Sequence, residues 1–366
     1  MTYILKYMKT SHNKSLKDLN QYGVNIKADT FIELENLEDL EELKNSGILN
    51  NKKILILGDG NNILFRKDFD GVVIKPEFKG KEIIKEDKKN IWIKMYSGED
   101  WEEFVQWAVK NSYQGIENMT MIPSSIGGAV SQNIAAYGQN IMDVVESLEA
   151  FDLKEKELKI FTNRDCEYRY RSSIFKTKYK NKFIIISATF KLNKIAQKLE
   201  TSYHERASRY GSLEDELKTF AKEPYTIQDV MNAIQNLRIK KLPSTDKYGT
   251  CGSVFANPIV TKEKYLKLTK RIPELQSYPV DKLQYTRKNW SEIDEEYVKI
   301  PAGRIIDELG WRGKWESNVG VYDKHALCII TNRKAPGEEI FDFLEKIRQN
   351  VKDKYGIDLE YEINII

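Results

Sequence analysis

IPSSIGGAVSQNIAAYGQNI, residues 122–141, carries no amphipathic period. Pro123, the pair Gly127-Gly128, a run of small residues, and then Asn133, Tyr137 and Gly138 all fall within it. Glycine serves where backbone bends unusually or must approach something with no Cβ in the way. Successive backbone N–H groups in such a segment can form a nest for phosphate. A close-packed turn on a loop is the competing reading, and the stretch alone leaves both open.

Upstream, Asn90 to Tyr96 reads as a strand, followed by a helix with Trp101, Val105 and Ala108 at helical spacing. Earlier still, Thr30 to Leu34 alternates as a strand. Asn36 is placed to cap a helix whose face is Leu37, Leu40 and Leu43, closed by Gly47. The apolar strand Ile54 to Leu57 then runs into Gly58-Asp59-Gly60-Asn61-Asn62, with Ile63-Leu64-Phe65 and a strand around Val72 to Ile74 beyond. This is a β-α-β unit with its Gly/Asn turn at a strand's C-terminal end, where α/β sheets bind ligands. The turn starts like GxGxxG, but Ile63 stands at the third glycine, and no GK[ST] follows. A nest and a plain turn both fit it.

Downstream, Val144 to Asp152, Leu158 to Thr162 and Phe183 to Leu192 read as antiparallel strands, so residues 20–195 suggest an α+β domain in two lobes. A boundary follows near Asn193 to Thr201. Thr226, with Asp229 three residues on, starts a helix carrying Val230, Ala233, Ile234 and Leu237 and ending in Arg238-Ile239-Lys240-Lys241. Those end cations suit either the helix dipole or a pyrophosphate. A later helix carries Ile340, Phe343, Leu344, Ile347 and Val351 and closes at Gly356. A last strand is expected over Ile357 to Ile366. Ile357, Leu359, Tyr361, Ile363 and Ile365 share one face; Asp358, Glu360, Glu362 and Asn364 share the other.

A chain of 366 residues is too long for one typical core. Lys+Arg (58) nearly balances Asp+Glu (55), leaving +3, which argues against a nucleic-acid binder. Cys166, Cys251 and Cys328 are odd in number and form no CxxC, so a reducing, cytosolic setting is expected. The start, MTYILKYMKTSHNK, has no signal-like apolar core, and no window suits a membrane span. His12, His204 and His325 are isolated, so no metal site is expected.

Six blocks together resemble one family: LGDGNNILF (57–65), GIENMTMIPSSIGGAVSQNIAAYG (115–138), YRSSIFK (170–176), GSVFANP (252–258), PAGRIID (301–307) and LEYEI (359–363). The family is UDP-N-acetylenolpyruvoylglucosamine reductase, the MurB flavoenzymes of peptidoglycan precursor synthesis, in its longer, type I form. The resemblance implies a fold of class α+β, with a PCMH-type FAD-binding domain in two lobes over 15–195. A substrate-binding domain over 202–366 follows, its last strand packing back near the N-terminal lobe. It implies non-covalent FAD, NADPH as co-substrate, a UDP-sugar enolpyruvate substrate, and a monomer in the bacterial cytoplasm with no nucleic-acid or membrane partner.

Residue by residue, the resemblance puts Arg171, Ser253 and Glu362 on catalytic positions. Gly58, Asp59, Gly60, Asn61, Asn62, Pro123, Gly127, Gly128, Asn133, Tyr137 and Gly138 fall on FAD contacts. Tyr210, Lys241 and Asn257 match contacts to the uridine diphosphate, with Tyr170 and Arg238 grouped with them. Two departures stand out. Asn364 replaces a basic residue found in many relatives, and the sequence stops at Ile366 without the longer tail of some.

The implied chemistry makes sense of these residue types. The substrate double bond is an enol ether conjugated to a carboxylate, so hydride at its methylene carbon pushes negative charge into that carboxylate. A fixed cation and a hydrogen-bonding acid must wait there, and a proton donor must serve the adjacent carbon. Arg171 suits the cation, since guanidinium grips carboxylate with two parallel bonds. Glu362 would donate to the enolate, and Ser253 would supply the proton. Taken alone, each has a plainer reading: a surface arginine, a solvated strand residue, a turn serine. Alternatives at this point are another PCMH-type FAD oxidoreductase, such as an oxidase of small alcohols or sugars, or an inactive flavin-binding relative.

Overall fold

A computed structural model describes residues 8–201, 211–281 and 293–366. Its first lobe contains β1 (Lys9–Ser15), β2 (Lys27–Leu34), α1 (Leu37–Ser46), β3 (Ile54–Ile56), β4 (Ile63–Leu64) and β5 (Phe69–Pro76). Local chemistry fixes α1 at both ends. Asn36 Oδ1 accepts from the Asp39 amide while the Asp39 carboxylate accepts from the Asn36 amide, and Gly47 terminates the helix at φ +66°. Leu40 and Leu43 are buried, but Leu37 is half exposed, so the apolar face is narrower than its spacing predicts. The sheet runs β1-β2-β5-β3, with β5 parallel to both neighbours.

The second lobe opens with β6 (Lys81–Glu86), β7 (Asn90–Tyr96) and α2 (Trp101–Lys110), whose first turn Asp100 caps. After α3 (Ile126–Gln132) and a tight hairpin of β8 (Ala135–Ala136) with β9 (Gln139–Asn140) come β10 (Val145–Asp152), β11 (Glu157–Thr162) and β12 (Phe183–Asn193). These build an antiparallel sheet ordered β11-β10-β12-β7-β6. Trp101 is wholly buried against Phe104 and Phe190 and donates its indole N–H to the Met119 carbonyl. The aromatics at helical spacing are core.

The rest comprises α4 (Leu213–Lys218), α5 (Ile227–Lys241), β13 (Gly249–Ser253), β14 (Ile259–Thr261), α6 (Lys262–Thr269), β15 (Tyr278–Asp281) and β16 (Ile293–Lys299). It continues with α7 (Ala302–Glu308), β17 (Trp315–Glu316), β18 (Val319–Val321), β19 (Cys328–Thr331), α8 (Gly337–Tyr355) and β20 (Asn364–Ile365). Thr226 and Asp229 form the capping box that starts α5. Two small sheets result, β13-β19-β18-β17 and β14-β16-β15.

Among the described residues four apolar clusters bind these parts, one of them local to α4 and α5 around Leu217 and Ile234. Another runs from Leu16, Phe31 and Phe65 of the first lobe into Val254, Phe255, Ile329, Ile340 and Ile363. The second lobe has its own, and the fourth joins Ile32, Leu34 and Ile74 to Phe151, Ile184 and Ile186. The two faces of β2 thus point into different cores, as strand alternation requires.

The last strand differs from expectation. Ile357, Leu359 and Ile363 are buried while Asp358 and Glu360 are exposed, so the alternation is present. Only Asn364–Ile365 joins a ladder, however, pairing parallel with Ile63–Leu64 of β4. Residues 357–362 bury their apolar side without a sheet edge beside them; a single bridge links Tyr361 to Phe255.

Candidate active site

Residues 58–62 follow β3, and their turn packs directly on the glycine-rich stretch. The Asp59 carboxyl accepts from the Ser125 backbone N–H, and burial raises its pKa although the Lys75 ammonium lies 3.8 Å away. A Cβ on Gly58 would sit 3.0 Å from Ser125 Oγ and 3.9 Å from the Gly128 Cα. Gly60 adopts φ +70°, and a Cβ there would collide with the Leu19 carbonyl. Glycine is therefore required twice in this turn, once for contact and once for conformation.

Ser125 caps α3 by accepting from the Gly128 amide, and the Gly127 amide donates to the Ser97 carbonyl at 2.9 Å. Both glycine amides are thus engaged within the protein. Gly127 lets α3 sit close against Ser97, 3.0 Å from where its Cβ would be. Pro123 is exposed beside them. Asn133 ends α3 at φ +53° and donates Nδ2 to the Arg169 carbonyl at 2.7 Å. Tyr137 (φ +45°) and Gly138 (φ +85°) form the following turn, whose Tyr137 carbonyl accepts from Asn118 Nδ2.

Several buried polar atoms here have no protein partner: Asn61 Oδ1, Ser97 Oγ, Gln132 Nε2, Asn133 Oδ1 and Arg238 Nε. Each such atom costs about 1–3 kcal/mol if nothing pairs with it. Asn61 lies on the turn, Gln132 and Asn133 on the stretch, and Ser97 packs against that stretch, an arrangement that fits a polar cofactor with complementary donors and acceptors. The glycines themselves answer to packing within the protein; the orphan polar atoms are what call for a further partner.

The charged part of the site lies where Asn133 holds the 169–176 loop. Arg171, at φ +53°, brings its Nε to 3.1 Å from Glu362 Oε1. Glu362 is held from three sides. Its amide donates to the Val254 carbonyl at 2.8 Å; its own carbonyl accepts from Lys176 Nζ at 2.8 Å and from Asn62 Nδ2 at 3.3 Å. Ser253, preceding Val254, closes β13 opposite Cys328 and is half-buried. It follows Gly252 at φ +69°.

Tyr170 is packed beneath this pair. Burial raises its hydroxyl pKa, and the hydroxyl accepts from the backbone and side-chain N–H groups of Asn257. Asn257 Oδ1 in turn accepts from the Ala302 amide at 3.0 Å, tying α7 to the site. The Lys299 ammonium stands 4.4 Å over the Tyr170 ring, its pKa lowered to about 8 by burial and then by Arg171. Burial likewise lowers Arg238, whose Nη2 donates to the Met121 carbonyl at 3.0 Å. Arg238 and Lys241, at the end of α5, both act on Cys328, whose thiol burial pushes up to about 12. Tyr210 lies outside the described residues. Among the described residues no group of His, Cys, Asp and Glu is placed to hold a metal ion.

Two family models match the chain: "FAD binding domain" over residues 28–160 and "UDP-N-acetylenolpyruvoylglucosamine reductase, C-terminal domain" over 243–366. Proteins named UDP-N-acetylenolpyruvoylglucosamine reductase match almost end to end. The one from Flavobacterium johnsoniae is 38% identical over 98% of this chain and 100% of its own length. The one from Aliivibrio fischeri is 35% identical over 96% and 93%. The chain belongs to the UDP-N-acetylenolpyruvoylglucosamine reductase family. It is an FAD-dependent oxidoreductase of the α+β, PCMH-like flavin fold. The fold is shared with the Thermus caldophilus MurB crystal structure, at TM-score 0.63 and 19% identity over 98% of this chain and 99% of that one.

Sequence reasoning passes over two lysines at this candidate site. Lys176 lies inside the quoted YRSSIFK block, five residues after Arg171, and its place there was the available signal. Lys299 ends the charged run IDEEYVK and has no signal at all, since a lysine there reads as solvated.

Proposed function

We propose that Arg171, Glu362 and Ser253 carry out the family's reaction here: reduction of UDP-N-acetylglucosamine enolpyruvate to UDP-N-acetylmuramate, with NADPH as electron source, for peptidoglycan synthesis. The observation that carries this reading is the Arg171–Glu362 pair at 3.1 Å, joined to the flavin turn through Asn62. Asn61, Asn62, Ser97, Gln132 and Asn133 would hold FAD, which supplies hydride when bound.

Arg171 receives the substrate carboxylate, where its fixed charge meets negative charge as it develops, without reorganisation. Glu362 shares that carboxylate by hydrogen bond. Lys299 and Tyr170, one cationic and one hydroxyl-bearing, line the same side, and Asn257, Arg238 and Lys241 extend polar contacts toward a diphosphate. Ser253 gives its proton to the carbon that bears the ether oxygen and is reprotonated from solvent. The Glu362–Val254 main-chain bond sets the register of the acid against the serine. Asn364 donates both its amide and its side-chain Nδ2 to the Asn62 carbonyl and brings no cation.

A monomer in the cytoplasm fits this reading. The three cysteines are buried and unpaired, and no described helix is long and apolar enough to cross a membrane.

The purified protein should be yellow, release FAD on denaturation and oxidise NADPH when given the enolpyruvyl substrate. Ser253→Ala should reduce its flavin normally with NADPH yet turn over substrate about 10²–10⁴-fold more slowly, the range for a lost proton donor. Equal slowing of both half-reactions would remove Ser253 from the role.

A further inference from the structure

Arg171 and Glu362 reach each other from separate, irregular segments. Arg171 holds a left-handed backbone conformation (φ +53°), which a non-glycine residue keeps only where its surroundings impose it. Glu362 belongs to the C-terminal run that no sheet edge supports. One side chain touches both main chains. Lys176 Nζ donates to the Glu362 carbonyl at 2.8 Å and to the Arg171 carbonyl at 3.3 Å.

We propose that Lys176 is a positioning residue for substrate reduction. By bonding both carbonyls it fixes the spacing of the guanidinium and carboxyl groups that meet the substrate carboxylate. A misplacement of about 1 Å at such a pair is enough to slow catalysis about 10²-fold. The inference rests on the assignment of Arg171 and Glu362 above.

The surroundings of the ammonium make this staple sensitive to pH. Its pKa is lowered to about 8, chiefly by burial; Glu362 on the C-terminal run opposes the shift, and Arg171 and Lys180 on its own loop add to it. The flavin turn contributes only the uncharged Asn62 at the shared carbonyl. Above about pH 8 the neutral amine loses the charge that strengthens both bonds.

The test uses FAD-saturated full-length enzyme and measures the two half-reactions separately. Lys176→Met should keep FAD and NADPH-driven flavin reduction, and slow substrate reduction by 10- to 100-fold with a raised KM, on the scale of such misplacements. Lys176→Arg, which cannot deprotonate, should recover most of the rate and lose the fall in substrate reduction above about pH 8. Wild-type substrate kinetics in Lys176→Met would overturn the proposal. So would equal loss of both half-reactions in both variants, or persistence of the alkaline fall in Lys176→Arg, which would assign it to Lys299. Arg171→Ala separates the two levels: if it leaves substrate reduction intact, the active-site assignment itself fails. If it impairs that step while Lys176→Met does not, only the staple fails.

Discussion

Replacing Lys299 by methionine should stabilise the protein while harming its activity. Lys299 ends β16, and its main chain pairs with Ile259 and Tyr278, so the strand stays in place when the side chain changes. Burial and the nearby Arg171 lower its pKa from 10.5 to about 8, against a smaller opposing pull from Glu362. At roughly 1.4 kcal/mol per pH unit, keeping that ammonium charged at neutral pH costs about 3 kcal/mol of folding free energy. Methionine retains the apolar stem and removes the charge, at the loss of a Tyr170 contact worth about 1 kcal/mol. The net is a gain of about 2 kcal/mol, or a rise in Tm of about 3 °C. The sign follows from the protons bound. Between about pH 8 and pH 10.5 the unfolded lysine holds a proton that the folded one has released. Wild-type stability therefore rises with pH across that window, and its cost is full below pH 8. The gap between variant and wild type should thus be widest at neutral pH and shrink toward pH 10.5. Thermal unfolding of the FAD-saturated proteins at about pH 7 and about pH 10 measures it, with KM for the enolpyruvyl substrate measured alongside. A variant that melts lower than wild type at neutral pH, or a gap that ignores pH, refutes the burial argument. A gain in Tm with unchanged KM would remove Lys299 from substrate binding.

The turn and the first helix give two further checks. Gly60→Ala combines a strained φ of +70° with a collision at the Leu19 carbonyl, so it should yield protein with little FAD and a Tm many degrees lower; a yellow variant of normal Tm would disprove the packing. Asn36→Ala removes the cap of α1 and should cost about 1 kcal/mol, seen as a Tm drop of about 2 °C with kcat unchanged, because α1 gives no residue to the site.

What was legible in the sequence was local. Asn36 with Asp39 and Thr226 with Asp229 announce their helices because a capping box closes within four residues. The two glycine-rich segments read correctly as special backbone. Whether their amides face a ligand was not legible, since Gly127 turns out to bond Ser97 from a different strand connection. Lysine burial is equally non-local: Lys176 and Lys299 look like surface residues until the loop, the C-terminal run and Tyr170 close over them.

The failed strand at the C-terminus has the same origin, and it bears on how the site works. Alternation specifies the buried side chains correctly over 357–360 and at Ile363, whereas Glu362 and Asn364 are half-buried like Tyr361 and Ile365; it says nothing about what the backbone bonds to. A regular strand would direct its amides and carbonyls to one or two neighbouring strands. Here the Glu362 amide goes to Val254, its carbonyl to Asn62 and Lys176, and the Asn364 amide to the Asn62 carbonyl. Those bonds reach the serine strand, the flavin turn and the arginine loop in turn. Reducing an enolpyruvyl group requires a hydride source, a cation and a proton donor held within a fraction of an ångström of their working geometry. Groups borne on separate loops meet that demand only if their main chains are cross-braced. The irregular backbone around Glu362 supplies the bracing that a strand in one sheet would not.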